Sequence, residues 1–182
     1  VENRGIVGRV VAAVDASLAT IEGLGAPAPS NAAPPLLLVH HGLFWDGAQP
    51  VTGRRYRRLR ALLERDAALY AAHIPLDLHP EVGNNAGLAR LLALEEQRPF
   101  GQHRGVLIGV AGRAPAPLRE RGALAARLAE VLGIETPEVR LIPGGPAVVS
   151  TIGVITGGAG SAILQAREAG CDTFVTGEGA AH

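Results

Sequence analysis

The sequence predicts an α/β protein made of two α/β subdomains, with mixed or parallel sheets flanked by helices. Short β-branched apolar segments alternate along the chain with longer segments whose apolar residues recur at helical spacing. Apolar residues make up 47% of the 182 residues and charged residues only 19%, so the chain can bury a sizeable core. The 24 glycines and 13 prolines supply the tight connections that many short elements need.

Strands and helices alternate in the first half, which is typical of a parallel sheet with covering helices. In the second predicted helix, a leucine stripe (59, 62, 63 and 69) is flanked by arginines at 54, 55, 57, 58 and 60. We interpret these arginines as a solvated helix face rather than a nucleic-acid patch, because no aromatic residues form a platform among them. Strands are predicted over residues 5–14, 36–39 and 71–76, and helices over 16–24 and 52–70.

A second α/β round follows residues 98–103, which we predict to be a connection. The predicted domains are therefore residues 1–100 and residues 101–182. A glycine at position 133 is expected to end the first helix of the second half. Strands are predicted over 105–111, 138–142, 148–156 and 173–176, and helices over 118–132 and 161–169.

The charges exclude several classes of function. Seventeen arginines balance 17 acidic residues, which argues against nucleic acid and membrane surfaces as partners. Because the chain has no lysine, it cannot use a Schiff base or a phosphate-binding lysine. No apolar run reaches the roughly 18 residues of a membrane span, no signal peptide opens the chain, and Cys171 is the one cysteine. A cytoplasmic, reducing location is expected.

Polar side chains follow three predicted strands. Asp15, the pair His40 and His41, and Asp77 stand where those strands end, and ligands bind at this edge of open α/β sheets. Histidine and carboxylate together suit a divalent metal. The alternative is that one histidine caps a helix or packs in the core. Adjacent histidines on a regular strand point to opposite faces, so both reach one site only if the strand has ended.

A polar turn after Asp77 holds further candidates. Asp77 is suited to bridge two cations, because an ionised carboxylate accepts through two oxygens. His79 is either a ligand or a solvated loop residue. Asn84 and its neighbour Asn85 either hold a ligand or form a turn and helix cap, and a cap accounts for only one of them.

Three features late in the chain have two interpretations each. Residues 156–161, Thr-Gly-Gly-Ala-Gly-Ser, could cradle a phosphate or form a tight turn. Glu178 and His182 could support the metal ligands, and Glu178 is the better candidate because it follows a strand. We interpret Cys171 as a structural thiol rather than a nucleophile.

Five blocks of the sequence resemble the Nif-three-like dinuclear metal centre family, whose members carry the name GTP cyclohydrolase I type 2 homologue. The two signature motifs are His-His-Gly-Leu-Phe-Trp at residues 40–45 and the stretch 73–89. The other three blocks are residues 10–22, 156–161 and 169–178. They occur in the family's order over essentially the whole chain.

The resemblance implies a two-domain α/β protomer, a homohexamer, and two divalent metals in the cleft between the domains. Carried over by motif, the ligands are His40, His41 and Asp77. The family's late His-x-x-x-Glu ligand pair has no counterpart here. We therefore expect a chain trimmed at both ends, which binds metal more weakly than one that contains this pair.

The leading hypothesis for function is metal-dependent hydrolysis of a nucleotide or another phosphorylated small molecule. Guanine specificity follows from the family name alone. The alternative is a non-catalytic metal-bound scaffold or regulatory partner. A DNA-binding ring is disfavoured by the zero net charge. Histidine and carboxylate ligands do not distinguish zinc, iron, manganese and nickel.

Overall fold

The computed structural model describes residues 1–27, 29, 31–44 and 47–179. Trp45 and His182, both considered above, lie outside this part of the chain. Internal contacts divide the chain into a first unit, Val1–Leu76, and a second unit, Asp77–His182. Among the described residues, no helix has the length and apolar character that crossing a bilayer requires.

The first unit is built on a three-stranded parallel sheet in the order β1-β2-β3. Its core lies between one sheet face and two helices, with Leu37, Ile21 and Leu62 fully buried. This arrangement confirms the α/β prediction from alternating elements. The elements are β1 (Arg9–Asp15), α1 (Leu18–Glu22), β2 (Pro35–His41), α2 (Gly53–Glu64) and β3 (Ala68–Ala71).

Local sequence explains where the two helices begin and end. The Ser17 side chain caps α1 by accepting a hydrogen bond from the Thr20 amide. Helix α2 ends earlier than predicted, because Asp66 takes a left-handed conformation (φ 50°) that turns the chain into β3. The predicted leucine stripe is wrong at Leu63, which is 61% exposed. Arg60 is exposed and pairs with Glu64 at 2.6 Å, as a solvated helix face predicts.

The other face of this sheet is apolar and exposed. Val10 and Val14 on β1, Leu38 on β2 and Tyr70 on β3 are among the exposed large hydrophobic residues. Residues 12, 38 and 70 stand side by side in the strand register. The first unit therefore covers only one face of its parallel sheet, although such sheets are commonly covered on both.

The predicted strand over residues 71–76 is wrong. β3 ends at Ala71, and residues 74–77 form one helical turn, α3 (Ile74–Asp77). Pro75 explains the difference, because proline has no N–H to continue a strand ladder but fits the first turn of a helix. Asp77 is thus the last residue of a helical turn rather than the residue after a strand.

The second unit contains a four-stranded mixed sheet in the order β4-β5-β6-β7. The first three strands pair antiparallel, and β6 pairs parallel with β7. Helix α5 ends at Gly133 in the left-handed conformation (φ 66°), as predicted. The elements are α4 (Asn84–Leu91), β4 (Glu95–His103), β5 (Val106–Arg113), α5 (Arg121–Leu132), β6 (Thr151–Ile155), α6 (Ile163–Glu168) and β7 (Thr173–Thr176).

Two predictions for the second half are wrong. Residues 98–103 are part of β4 rather than a connection, with Phe100 buried and Pro99 opposite Val110. The strand runs across the predicted boundary at residue 100, and the limit between the two units lies at Leu76 and Asp77. Residues 138–142 form no strand. They follow a single 3₁₀ turn, and Ile142 is 81% exposed because no strand pairs with this segment.

Candidate metal centre

Three histidine rings of the first unit lie together. His40 and His41 are the last two residues of β2, and His73 lies between β3 and α3. The ring centroids are 4.6 Å apart for His40 and His41, 4.8 Å for His40 and His73, and 4.9 Å for His41 and His73. One nitrogen from each half-buried residue lies within 4.8 Å of the others.

The neighbouring histidines converge although both belong to a strand. Convergence was predicted only if the strand ends at this pair, and β2 includes both residues and ends at His41. The ladder between β2 and β3 nevertheless stops at Val39 and Ala71. Both histidines therefore lie beyond the last pairing with β3, while His41 still pairs with Asp15 of β1.

Hydrogen bonds hold two of the rings by the same nitrogen. His40 Nδ1 lies 3.1 Å from the Ala72 carbonyl oxygen, and His41 Nδ1 lies 2.8 Å from Asp15 Oδ1. Because a carbonyl and a carboxylate only accept, Nδ1 carries the hydrogen in each neutral ring. The lone pair that a metal needs is then on Nε2. Metal-binding histidines typically have this second partner.

This donor set fits a divalent transition metal. Neutral imidazole nitrogens suit zinc, iron and nickel, whereas calcium and magnesium prefer oxygen ligands. Asp15 places a carboxylate against His41 without joining the nitrogen cluster itself. Asp15 was predicted to lie at this edge of the sheet with His41, and a supporting role for it in the site stays a prediction.

A shallow cavity adjoins His73 in the first unit. Its volume is about 370 Å³, and its walls include the apolar side chains of Leu43, Phe44 and Leu69. This size is within the usual range for small-molecule sites.

Asp77 belongs to the second unit. Its Oδ1 accepts a hydrogen bond of 2.8 Å from Asn84 Nδ2, which orients the carboxylate. Helix α4 begins at Asn84 with Gly83 as its N-cap, so of the two alternatives the asparagine cap does not apply. The role of Asp77 as a ligand and of Asn84 as a supporting residue stays a prediction.

His79 and Glu178 have local contacts in the second unit. His79 is exposed, and its Nδ1 accepts from the backbone amides of Glu81 and Val82, so that nitrogen stabilises the turn. Glu178 is exposed, and its Oε2 would be in van der Waals contact with a Cβ placed on Gly158 of the 156–161 loop. A role for either residue in the site stays a prediction.

The 156–161 loop has the properties of a tight turn. Gly157 has a φ of 73°, and its carbonyl accepts from the amides of Ala159 and Glu178. The carboxylate of Glu178 beside the loop would repel a phosphate. These contacts favour the turn interpretation over a phosphate cradle.

Comparison with known proteins places the chain in a family. A family model described as Duf34/NIF3 (NGG1p interacting factor 3) matches residues 1–182. This chain belongs to the Duf34/NIF3 family. The resemblance recognised from the five sequence blocks is thereby confirmed.

Duf34/NIF3 relatives of known sequence are longer than this chain. It is 46% identical over 173 residues to the GTP cyclohydrolase 1 type 2 homolog of Deinococcus radiodurans, covering 93% of this chain and 61% of that protein. It is 43% identical over 176 residues to the homolog from Halobacterium salinarum, covering 95% of this chain and 66% of that protein. The chain thus spans less than two thirds of either relative.

Solved structures have the same fold. Protein ybgI, described as of unknown function, matches with a TM-score of 0.76 and 36% identity, over 99% of this chain and 68% of that one. TTHA1606 from Thermus thermophilus matches with a TM-score of 0.73 and 36% identity, over 99% of this chain and 67% of that one. The mixed α/β architecture is therefore shared with these two solved structures.

Sequence reasoning missed His73 as a candidate ligand. The residue lies in the second signature motif of this Duf34/NIF3 chain, but the predicted strand over residues 71–76 made it a strand-interior residue. Pro75 was the available signal, because it ends the strand early and leaves His73 in the short connection between β3 and α3.

Cys171 has the properties of a structural thiol. It is half-buried against the cluster around Phe100, and burial raises the pKa of its thiol, with Arg98 lowering the pKa and Asp172 raising it. A raised pKa leaves less of the reactive thiolate at neutral pH.

We expect iodoacetamide to alkylate Cys171 several-fold more slowly in the folded chain than in the urea-unfolded chain at neutral pH. The folded rate should rise as the pH increases, because the thiolate fraction grows. The rates are measured by mass spectrometry of quenched samples. Equal rates in the folded and unfolded chains would contradict a shielded thiol.

Proposed function

We propose that this chain binds divalent metal ions and belongs to a metal-dependent hydrolase that acts on a nucleotide or another phosphorylated small molecule. The observation that carries the proposal is the cluster of three imidazole nitrogens within 4.8 Å. Two of these rings are oriented through Nδ1 in the manner of metal-binding histidines. Family membership supports it further.

The proposed ligands are His40, His41 and Asp77, with two metal ions in the intact protein. Asp15 would fix the ring of His41, the carbonyl of Ala72 would fix that of His40, and a hydrogen bond from an asparagine already orients Asp77. Fixed rings and carboxylates lower the cost of ordering the site when an ion binds. Bound divalent ions supply Lewis-acid polarisation and lower the pKa of water.

We propose that a small-molecule substrate binds in the cavity beside His73. The cavity beside His73 has room for part of a nucleotide-sized molecule, and its apolar wall offers a surface for a base. The relatives' name, GTP cyclohydrolase 1 type 2 homolog, makes GTP the first compound to test.

We also propose that the intact protein is a cytoplasmic homohexamer, as the family resemblance implies. Light scattering coupled to gel filtration measures the mass directly. A mass of one protomer would contradict this assembly.

The hydrolase proposal is tested by turnover. The metal-loaded protein is incubated with a panel of nucleotides and phosphorylated sugars, and products are separated by chromatography. Changing His40→Ala and His41→Ala together should lower turnover at least about a hundredfold. Replacing only a residue that hydrogen-bonds to a metal ligand already lowers activity about ten- to a hundredfold. His103→Ala is the control, as this exposed histidine lies on β4.

Metal-loaded protein that converts none of these compounds would contradict the hydrolase proposal. That result would favour the alternative of a non-catalytic metal-bound scaffold or regulatory partner.

A further inference from the structure

We propose that His73 is a third protein ligand, so that His40, His41 and His73 together bind one transition-metal ion within the first unit. This inference rests on the proposed metal-binding function and deepens it. It adds a third nitrogen donor of the first unit to the proposed ligands His40 and His41.

The clustering itself points to an ion. Three of the six histidines in the chain lie in this one place, from two separate segments. The ring of His73 meets the rings of His40 and His41 edge-on, at interplanar angles of 89° and 84°. Each ring therefore contacts the other two, and one nitrogen from each lies within 4.8 Å of the others.

The backbone fixes His73 relative to His40. The Ala72 carbonyl, in the residue just before His73, lies 3.1 Å from His40 Nδ1. The contact that orients one ring therefore also holds the backbone next to the other. On the far side, the His73 carbonyl accepts from the Leu76 amide at 2.9 Å, at the start of the α3 turn. The backbone is thus held on both sides of the His73 side chain, at the Ala72 carbonyl and at the carbonyl of His73 itself.

The dimensions suit an ion after a small adjustment. Zinc–nitrogen bonds of roughly 2.0–2.1 Å place two tetrahedral ligands about 3.3 Å apart. The three nitrogens lie within 4.8 Å of one another, so side-chain rotations of about an ångström would close the site. Three neutral nitrogens with a fourth position for water or substrate are typical of catalytic zinc sites. Zinc, cobalt and nickel are the expected class of ion.

The test measures metal binding rather than activity. The parent chain, His73→Ala, His73→Cys and the control His103→Ala are titrated with zinc against a chromophoric chelator. The parent and the control should bind one zinc ion with the same affinity. We expect His73→Ala to weaken zinc binding at least about tenfold. That is the smallest loss typical of replacing a residue that only hydrogen-bonds to a metal ligand.

The cysteine variant separates ligation from packing. Cysteine is itself a metal ligand, so His73→Cys should retain most of the zinc affinity that His73→Ala loses. With cobalt(II) in place of zinc, it should also gain a sulfur-to-metal charge-transfer absorption that the parent lacks. Circular dichroism of the metal-free proteins establishes that each variant is folded.

Each outcome has a distinct meaning. If the parent binds no zinc, both this inference and the proposed metal-binding function are wrong. If the parent binds zinc and His73→Ala binds it within twofold of His103→Ala, only the role of His73 is wrong. A cobalt-loaded His73→Cys without the charge-transfer band would also overturn direct ligation.

Discussion

Replacing Asn85 with alanine should lower the free energy of unfolding by about 2–4 kcal/mol, because it leaves several buried polar groups without partners. Asn85 is 2% exposed. Its Oδ1 accepts from the Thr156 amide and hydroxyl at 2.7 and 2.9 Å, and its Nδ2 donates to the Ile108 carbonyl. The side chain therefore joins α4 to β5 and to the end of β6.

Urea unfolding followed by circular dichroism measures this loss, and Asn84→Ala is the matched control. Asn84 is the preceding residue but is exposed, so its change should stay within about 0.5 kcal/mol. Hydrogen exchange gives a local reading, since the Thr156 amide should exchange faster only in Asn85→Ala. A loss no larger than in the control would show that these bonds add little to stability.

The second large effect is expected for Asp77→Asn, which should lower metal retention more than His40→Ala or His41→Ala does. The amide keeps the shape of the side chain but removes the negative charge that offsets the cations, whereas each histidine is a neutral donor. A carboxylate proposed to bridge two ions also serves both of them. We expect the affinity for metal to fall by about a hundredfold or more, which exceeds the loss typical of replacing a residue that only hydrogen-bonds to a ligand.

Elemental analysis after gel filtration measures the retained metal. Glu81→Gln is the control, because this exposed carboxylate lies on the same segment as Asp77. Asn84→Ala should give an intermediate loss, since it leaves the Asp77 carboxylate in place but removes its 2.8 Å hydrogen bond. If Asp77→Asn retains as much metal as Glu81→Gln, Asp77 is not a ligand.

The sequence predicted those parts of the molecule that depend on neighbours along the chain. The last strand was predicted at residues 173–176, where β7 lies, and Gly133 was predicted to end α5. The order of strands and helices in the first half also predicted that Asp15 and His41 would meet at one sheet edge. Apolar periodicity, turn residues and capping are local properties, so the sequence alone carries them.

Tertiary structure decided the features that depend on distant partners. The sequence left Asn85 open between holding a ligand and forming a turn or helix cap. Its partners lie 23 and 71 residues away, on β5 and just after β6, where no local pattern specifies the packing. Residues 98–103 became a strand because β5 pairs with them. His73 became a candidate ligand because its strand ends at Ala71 and its ring lies against histidines more than 30 positions earlier. Pairing and burial act between segments that the chain brings together only on folding, and these contacts determine the site.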